Sequence, residues 1–491
     1  MEHKKFVMNQ PEGARLIIEA LQEAGYTAYV VGGCVRDAVL NKIPHDYDIC
    51  TSATPDEMKA VFENKNNKTY DTGIQHGTIS VAGSDDELYE VTTYRIDGDY
   101  ADGRHPDSVA FVRDVKEDLS RRDFTINAMA YNYEDGLVDP FGGQIDCANK
   151  IIRCVGDPNV RFQEDALRMM RAIRFASTYG FKIDEATAKA IHDNKHLLRN
   201  VSEERKTSEF IKFITHTNRE LLLQYNDLIA EFIPEIKQMV GFDQCTPWHK
   251  YDVFEHTARA VELAPHDTTL RLAAFFHDIG KPHVCMEVMG RRKFLGHQDK
   301  SFDITVEAMK RMRFDTKTIK DVSAVVKHHD DPLIHNADRT NIKSLLRLMG
   351  EDTLRRVAAF QLCDKQASRG TIEEFESMRH QDMTYEDAII FKELKLMQTY
   401  DDRITQTLNS GEPYRIKDLA VNGNDLIGLG IEGEDIGDTL QMMVGDVIRN
   451  PALNTKDKLM KLANHYHKYW EGETEIQPKD AIEAIENDRE I

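Results

Sequence analysis

The chain has 491 residues, 41% hydrophobic and 30% charged, the balance of a folded globular protein and not of a disordered one. Its net charge of −21 means that a polyanion must dock on a local basic face if it docks at all. No apolar run is long enough to span a bilayer and no apolar segment follows the basic start MEHKK, while seven cysteines without a C-x-x-C pair suit free thiols, so a cytoplasmic protein is expected.

In chain order, the first 25 residues read as an amphipathic helix carrying Leu16, Ile17, Ile18 and Leu21. Tyr29-Val30-Val31 reads as a strand, Gly32-Gly33 as a turn and Val35 to Leu40 as the next helix. Further strand-like runs fall at 79–81, 89–94 and 109–112, so residues 1–150 mix helix and strand. From about Arg161 the pattern turns helical. Residues 243–248 read as a link, a His-rich helical block runs on to about Gly370, and a third helical segment covers 383–470 with turns at Gly411, Gly423 and 428–433. The fold class expected is α+β: a head with a small mixed sheet, then mainly helical domains. The divisions are 1–150, 151–242, 243–375, 376–470 and an acidic tail at 471–491. Charge follows these divisions: residues 150–220 hold fourteen Lys/Arg against ten Asp/Glu, the tail two against eight.

VVGGCVRD places two glycines between a strand and a helix, where backbone can approach a phosphate and Arg36 can reach it. A Gly-Gly turn alone is equally a plain turn. Asp46 and Asp48 follow; on a strand, i and i+2 share a face, and two carboxylates side by side suit a pair of Mg²⁺ ions. D-x-D alone also fits a solvated loop. Glu90 in YEVTTYR is either a third carboxylate there or the partner of a nearby arginine. Further on, EDALR sets Asp165 and Arg168 three apart on an expected helix, with Arg171 and Arg174 extending the face by i+3 steps. That face suits a base edge and a triphosphate, or is a solvated salt-bridged stripe.

GGCVRD, D-Y-D, RRDFTINAM, DPFGG and EDALR, in this order over residues 25–210, resemble the class II CCA-adding enzymes and bacterial poly(A) polymerases. The resemblance implies metal binding by Asp46 and Asp48, nucleotide contacts by Gly33, Arg36, Arg122 and Asp123, and reading of the Watson–Crick edges of C and A by Asp165 and Arg168. Arg171 and Arg174 would assist at the phosphates. It implies a tRNA partner, with CTP and ATP as substrates and Arg205, Lys206 and Lys212 near the acceptor arm. Residues 94–125 resemble the flexible loop of members that complete CCA, which CC-adding members shorten or alter. The acidic tail is unlike the basic extension of the poly(A) polymerases. A-adding activity alone stays open.

In the His-rich block, His256, then His277-Asp278 in AAFFHDIGKP, and Asp364 resemble the four ligands of the HD phosphohydrolases. His297 and His328 would complete a second site for a divalent metal, a transition metal among the candidates. The resemblance implies phosphatase or 2′,3′-cyclic phosphodiesterase activity; the alternative is an inert helical unit. Two other readings of the whole remain: a metal-dependent phosphohydrolase of small nucleotides with the head as sensor, and a pure RNA-binding protein.

Overall fold

A computed structural model describes residues 6–65, 67–98, 109–245, 250–331, 338–379 and 383–486. Residues 99–108 of the loop singled out above, 246–249 of the link and 487–491 of the tail lie outside the described residues. The fold resolves into two compact units, 1–238 with 308–314, and 239–307 with 315–491.

The first unit is built on a seven-stranded sheet in the order β3-β4-β5-β2-β1-β8-β9. Its strands are β1 (Ala28–Val31), β2 (Ile49–Thr51), β3 (Thr69–Gly73), β4 (Thr78–Ala82), β5 (Leu88–Thr93), β8 (Ala130–Asn132) and β9 (Gly136–Val138). Neighbours are antiparallel except β2 and β5, which run parallel with Ile49 opposite Val91. A separate hairpin joins β6 (Arg95–Asp97) to β7 (Val109–Phe111). β1 is buried along its whole length, as its unbroken apolar run AYVV requires. Helix α1 (Glu12–Glu23) packs Ile17, Ile18 and Leu21 inward. Behind the sheet Tyr29, Val31, Cys50, Tyr94, Leu119 and Ala130 form one core, where a fully buried large apolar side chain contributes about 1.5–3 kcal/mol.

Helices α2 (Gly33–Val39), α3 (Pro55–Asn64), α4 (Val115–Ser120) and α5 (Gly143–Asn149) complete the head. Beyond it, the short strands β10 (Ile151–Ile152) and β11 (Lys182–Ile183) pair in parallel beside α6 (Pro158–Glu164) and α7 (Leu167–Tyr179). They are followed by α8 (Glu185–Asn194), α9 (Glu203–His216), α10 (Arg219–Gln224) and α11 (Asn226–Ile229).

The second unit is helical: α12 (Val253–Leu263), α13 (Thr268–Phe276), α14 (His297–Arg311), α15 (Thr316–His328), α16 (Arg339–Met349) and α17 (Glu351–Arg369). One element departs from the helical reading of this block, a hairpin of β12 (Met286–Val288) and β13 (Arg291–Lys293). Its two-residue turn has positive φ at both Met289 (52°) and Gly290 (72°), the geometry that matches strand twist. Toward the C-terminus Leu426, Met443, Val447, Leu459, Leu462 and Tyr466 make a further core. Among the described residues no helix is long and apolar enough to cross a membrane, and all seven cysteines are free.

Candidate active sites

In the head, the aspartate pair does not stand on a strand. Asp46 and Asp48 precede β2, which begins at Ile49. The extended expectation survives only at Asp48, whose carbonyl accepts from Val31 N–H at 2.9 Å and so prolongs the β1–β2 ladder by one residue. The parallel register Ile49–Val91 brings Asp48 beside Glu90 of β5. All three acids keep exposed surface and line one cleft of about 770 Å³ with Pro44, Tyr47 and Tyr89. Surrounding protein still desolvates Asp48 and lifts its carboxyl above the ordinary aspartate range; Arg122 opposes the shift, while Glu90 and Asp46 reinforce it. An all-oxygen set of clustered acids with one reluctant to ionise fits a hard divalent cation.

Of the two glycines, Gly32 carries the conformational demand. It caps α2 at φ 78° and ψ −120°, and a Cβ there would lie 2.9 Å from Arg122 Nη1. Gly33 has no such constraint; its Cβ would meet nothing closer than Arg36 Nη2 at 3.6 Å. Arg36 points inward. It donates to Asn127 Oδ1 at 2.7 Å and Asp37 Oδ1 at 3.0 Å and lies over the Tyr179 ring at 4.7 Å.

The RRD segment is pinned by acids. Buried Asp118 accepts from Arg121 at 2.7 Å and Arg122 at 3.3 Å. Buried Asp123 accepts from Phe124 N–H and Asn127 Nδ2 on one oxygen and from Arg171 Nε at 2.7 Å on the other. Burial works against the Asp123 charge, but Arg171 and Asn127 outweigh it and hold the carboxyl at about 2.

EDALR is not one helix. Asp165 is extended (φ −143°) where α6 ends, and α7 begins at Leu167. Its carboxylate accepts from Leu167 N–H at 3.0 Å and Arg205 Nη2 at 2.8 Å, so its ion-pair partner is Arg205 and not Arg168. Arg168 donates to Glu164 at 2.6 Å and to the Arg121 carbonyl at 3.1 Å, and Arg174 to Glu209 at 2.6 Å. The three arginines do share a face of α7, each held by an acid or a carbonyl. Of the basic residues expected near RNA, Lys206 turns inward to Glu203 at 2.7 Å, Arg205 is held by Asp165, and Lys212 is exposed. The sequence assigns no role to Asn127 within RRDFTINAM and does not single out Glu209, although Glu209 falls on the α9 face of Lys206, Phe210 and Phe213.

In the second unit the ligands come from five helices or their ends. His256 Nε2 stands 3.2 Å from His277 Nε2 and 2.8 Å from Asp364 Oδ1. His297 Nε2 stands 3.1 Å from His329 Nε2. The residue in this cluster is His329, not His328. His328 turns aside, its Nδ1 3.8 Å from Asp331 Oδ2. The phase of α15 tells them apart: 329 lies seven, four and three residues after the buried Val322, Val325 and Val326.

The ligand groups of His256, His277 and Asp278, and of Asp278, His297 and His329, each lie within 4.8 Å of one another. His277, His297 and His329 each offer Nδ1 to the carbonyl three residues back, at 2.8, 2.8 and 2.7 Å. A carbonyl only accepts, so each ring carries a proton on Nδ1 and turns Nε2 into the cluster. Neither buried Asp278 oxygen receives a well-aimed hydrogen bond, although Lys281 Nζ lies 2.6 Å from Oδ2. Imidazole nitrogens converging on a buried carboxylate suit a cation. Without one, burial opposes charge on His277, but Asp278 and Asp364 lift it to about 10, while burial and the neighbouring imidazoles push His329 down to about 3. Mixed imidazole and carboxylate ligands suit a transition metal.

Residues 28–153 match the poly A polymerase head domain, 180–239 the probable RNA and SrmB-binding site of polymerase A, and 249–368 the HD domain. A CCA-adding enzyme of Pediococcus pentosaceus is 50% identical over 240 residues, 48% of this chain and 59% of that protein. One from Geobacillus sp. is 54% identical over 198 residues, 40% of this chain and 48% of that protein. The chain spans about half the length of the curated relatives it matches. The crystal structure of the Bacillus stearothermophilus CCA-adding enzyme in complex with CTP superposes with a TM-score of 0.63 at 28% identity, covering 95% of this chain and all of that one. A poly A polymerase head domain, an RNA-binding segment of polymerase A and an HD domain are thus matched in sequence along the chain, and the proteins it is similar to are CCA-adding enzymes.

Proposed function

We propose that the first unit adds C, C and A to the 3′ end of tRNA from CTP and ATP, releasing pyrophosphate, as a cytoplasmic enzyme. The observation that supports this most is the meeting of Asp46, Asp48 and Glu90 in one cleft with Arg122 electrostatically coupled to Asp48. Asp46 and Asp48 would hold Mg²⁺, which when bound supplies charge neutralisation at the triphosphate and at the attacking 3′-hydroxyl. The protein contributes position. Asp118 holds Arg122, and Asp123 anchors Arg171. Asp165 would accept from the exocyclic amino group that C and A share, and Arg168 would donate to a neighbouring ring acceptor. A wrong base would leave these groups unpaired, and such a mismatch is costly. Gly33 and Arg36 would shape the floor beneath the nucleotide, with Arg174 assisting at the phosphates. The RNA-binding segment, with exposed Lys212, would take the acceptor arm.

The test is incubation with Mg²⁺ and a tRNA transcript lacking its last three nucleotides, with labelled CTP and ATP singly and together. Two C and then one A support the reading. A alone on a CC-ended transcript indicates an A-adding enzyme, unlimited A a poly(A) polymerase, and no incorporation overturns it.

The paired histidine cluster favours a second activity, hydrolysis of phosphate esters at His256, His277, Asp278, His297, His329 and Asp364. A divalent metal there would supply Lewis acidity toward the ester. Loss of hydrolysis in His277→Ala/Asp278→Ala, with nucleotide addition intact, separates the two sites.

A further inference from the structure

The cavity that opens onto the HD cluster holds about 350 Å³, at the small end of ligand pockets. Asp278, His297 and His329 line it together with two further acids, Asp330 and Asp364, and three cations: Lys281, Arg292 and Lys293. Lys281 is buried on the turn after the HD pair, its Nζ 2.6 Å from Asp278 Oδ2 and 3.0 Å from the Gln244 Oε1 acceptor. The other two come from the β12–β13 hairpin that the helical pattern did not foretell. Arg292 is tethered there, donating to the Asp243 carbonyl and lying 4.8 Å over the Phe242 ring. Lys293 follows it with its side chain exposed at the rim. Lys281 is ion-paired with Asp278, so the cations left to meet an incoming anion are Arg292 and Lys293 of the hairpin.

We propose that this wall is an anion clamp that selects terminal phosphomonoesters over phosphodiesters, cyclic ones included. The inference rests on the phosphohydrolase reading given above and narrows its substrate class. A monoester phosphate carries close to two negative charges and three free oxygens, a diester one charge and two. Each charge-assisted contact from the hairpin therefore favours the monoester. In the reaction water adds its oxygen to phosphorus, the P–O ester bond breaks, and the departing alcohol takes a proton, leaving inorganic phosphate.

The test uses the full chain loaded with Mn²⁺, Co²⁺ or Ni²⁺, and its Arg292→Gln/Lys293→Gln variant. p-Nitrophenyl phosphate is compared with bis-p-nitrophenyl phosphate, metal content is measured on both proteins, and binding of inorganic phosphate is titrated by calorimetry. The variant should keep its metal, lose about tenfold in kcat/KM on the monoester and in phosphate affinity, and change at most about twofold on the diester. An unchanged monoester-to-diester ratio together with unchanged phosphate affinity overturns the clamp. If the parent hydrolyses neither ester yet binds phosphate tenfold better than the variant, the hydrolase reading fails and the clamp stands.

Discussion

Replacing Asp123 by Asn tests how the head holds Arg171 of α7. The carboxylate serves two sides: Oδ1 takes Phe124 N–H and Asn127 Nδ2, Oδ2 takes Arg171. An amide cannot accept on both, so one side always meets donor against donor. The folded carboxyl sits at about 2 against an ordinary 3.8, a gap equivalent to about 2 kcal/mol at pH 7. The value is depressed on folding, so its contribution is present above the unfolded value and is lost as pH falls through the folded one. At pH 3 only about 1 kcal/mol of it should remain. Neither tryptophan of the sequence falls within residues 1–238 or 308–314, so intrinsic fluorescence does not report this change. Hydrogen exchange followed by mass spectrometry over 121–127 and 167–175 does. At pH 7 the variant should exchange there about thirtyfold faster, the equivalent of 2 kcal/mol, with the difference narrowing toward pH 3. Equal protection at pH 7, or a difference that does not shrink with acid, would refute the buried-pair account.

Three further outcomes are expected. Asp46→Asn/Asp48→Asn should cut nucleotide addition by at least about 10³ in a single-turnover assay, while exposure of both side chains leaves the melting temperature within about 2 °C. Gly32→Ala places a Cβ at positive φ against Arg122 and should cost about 1–3 kcal/mol by thermal or chemical unfolding; Gly33→Ala should stay within about 0.5 kcal/mol. His329→Gln should weaken divalent-metal binding by about 10–100-fold in a competition titration, and His328→Gln should leave it near the parent value.

What the sequence made legible was local chemistry, and what it hid was register. The Gly-Gly turn is visible because a strand pattern stops and a helix starts on either side of it, yet which glycine bears the strain depends on where Arg122 packs, ninety residues on. EDALR looks helical because its spacing is helical. The break at Asp165 arises because an aspartate side chain competes for a backbone N–H, here that of Leu167, and periodicity is blind to that competition. At His328-His329 the phase of the preceding valines held the answer.

Glu90 shows the limit most clearly. Nothing near YEVTTYR says whether its acid faces a metal or an arginine, because its neighbour is forty-two residues away in sequence. The neighbour is set by sheet order: β2 lies between β1 and β5, antiparallel to one and parallel to the other. With Ile49 opposite Val91, the residue before each strand position falls beside its counterpart, and Asp48 meets Glu90. A one-residue slip would send Glu90 to the other face of the sheet and leave Asp48 and Asp46 facing Arg122 alone. The cleft's surplus of negative charge, and with it the capacity for a divalent cation, is therefore a property of the parallel β2–β5 pairing as much as of the acids themselves.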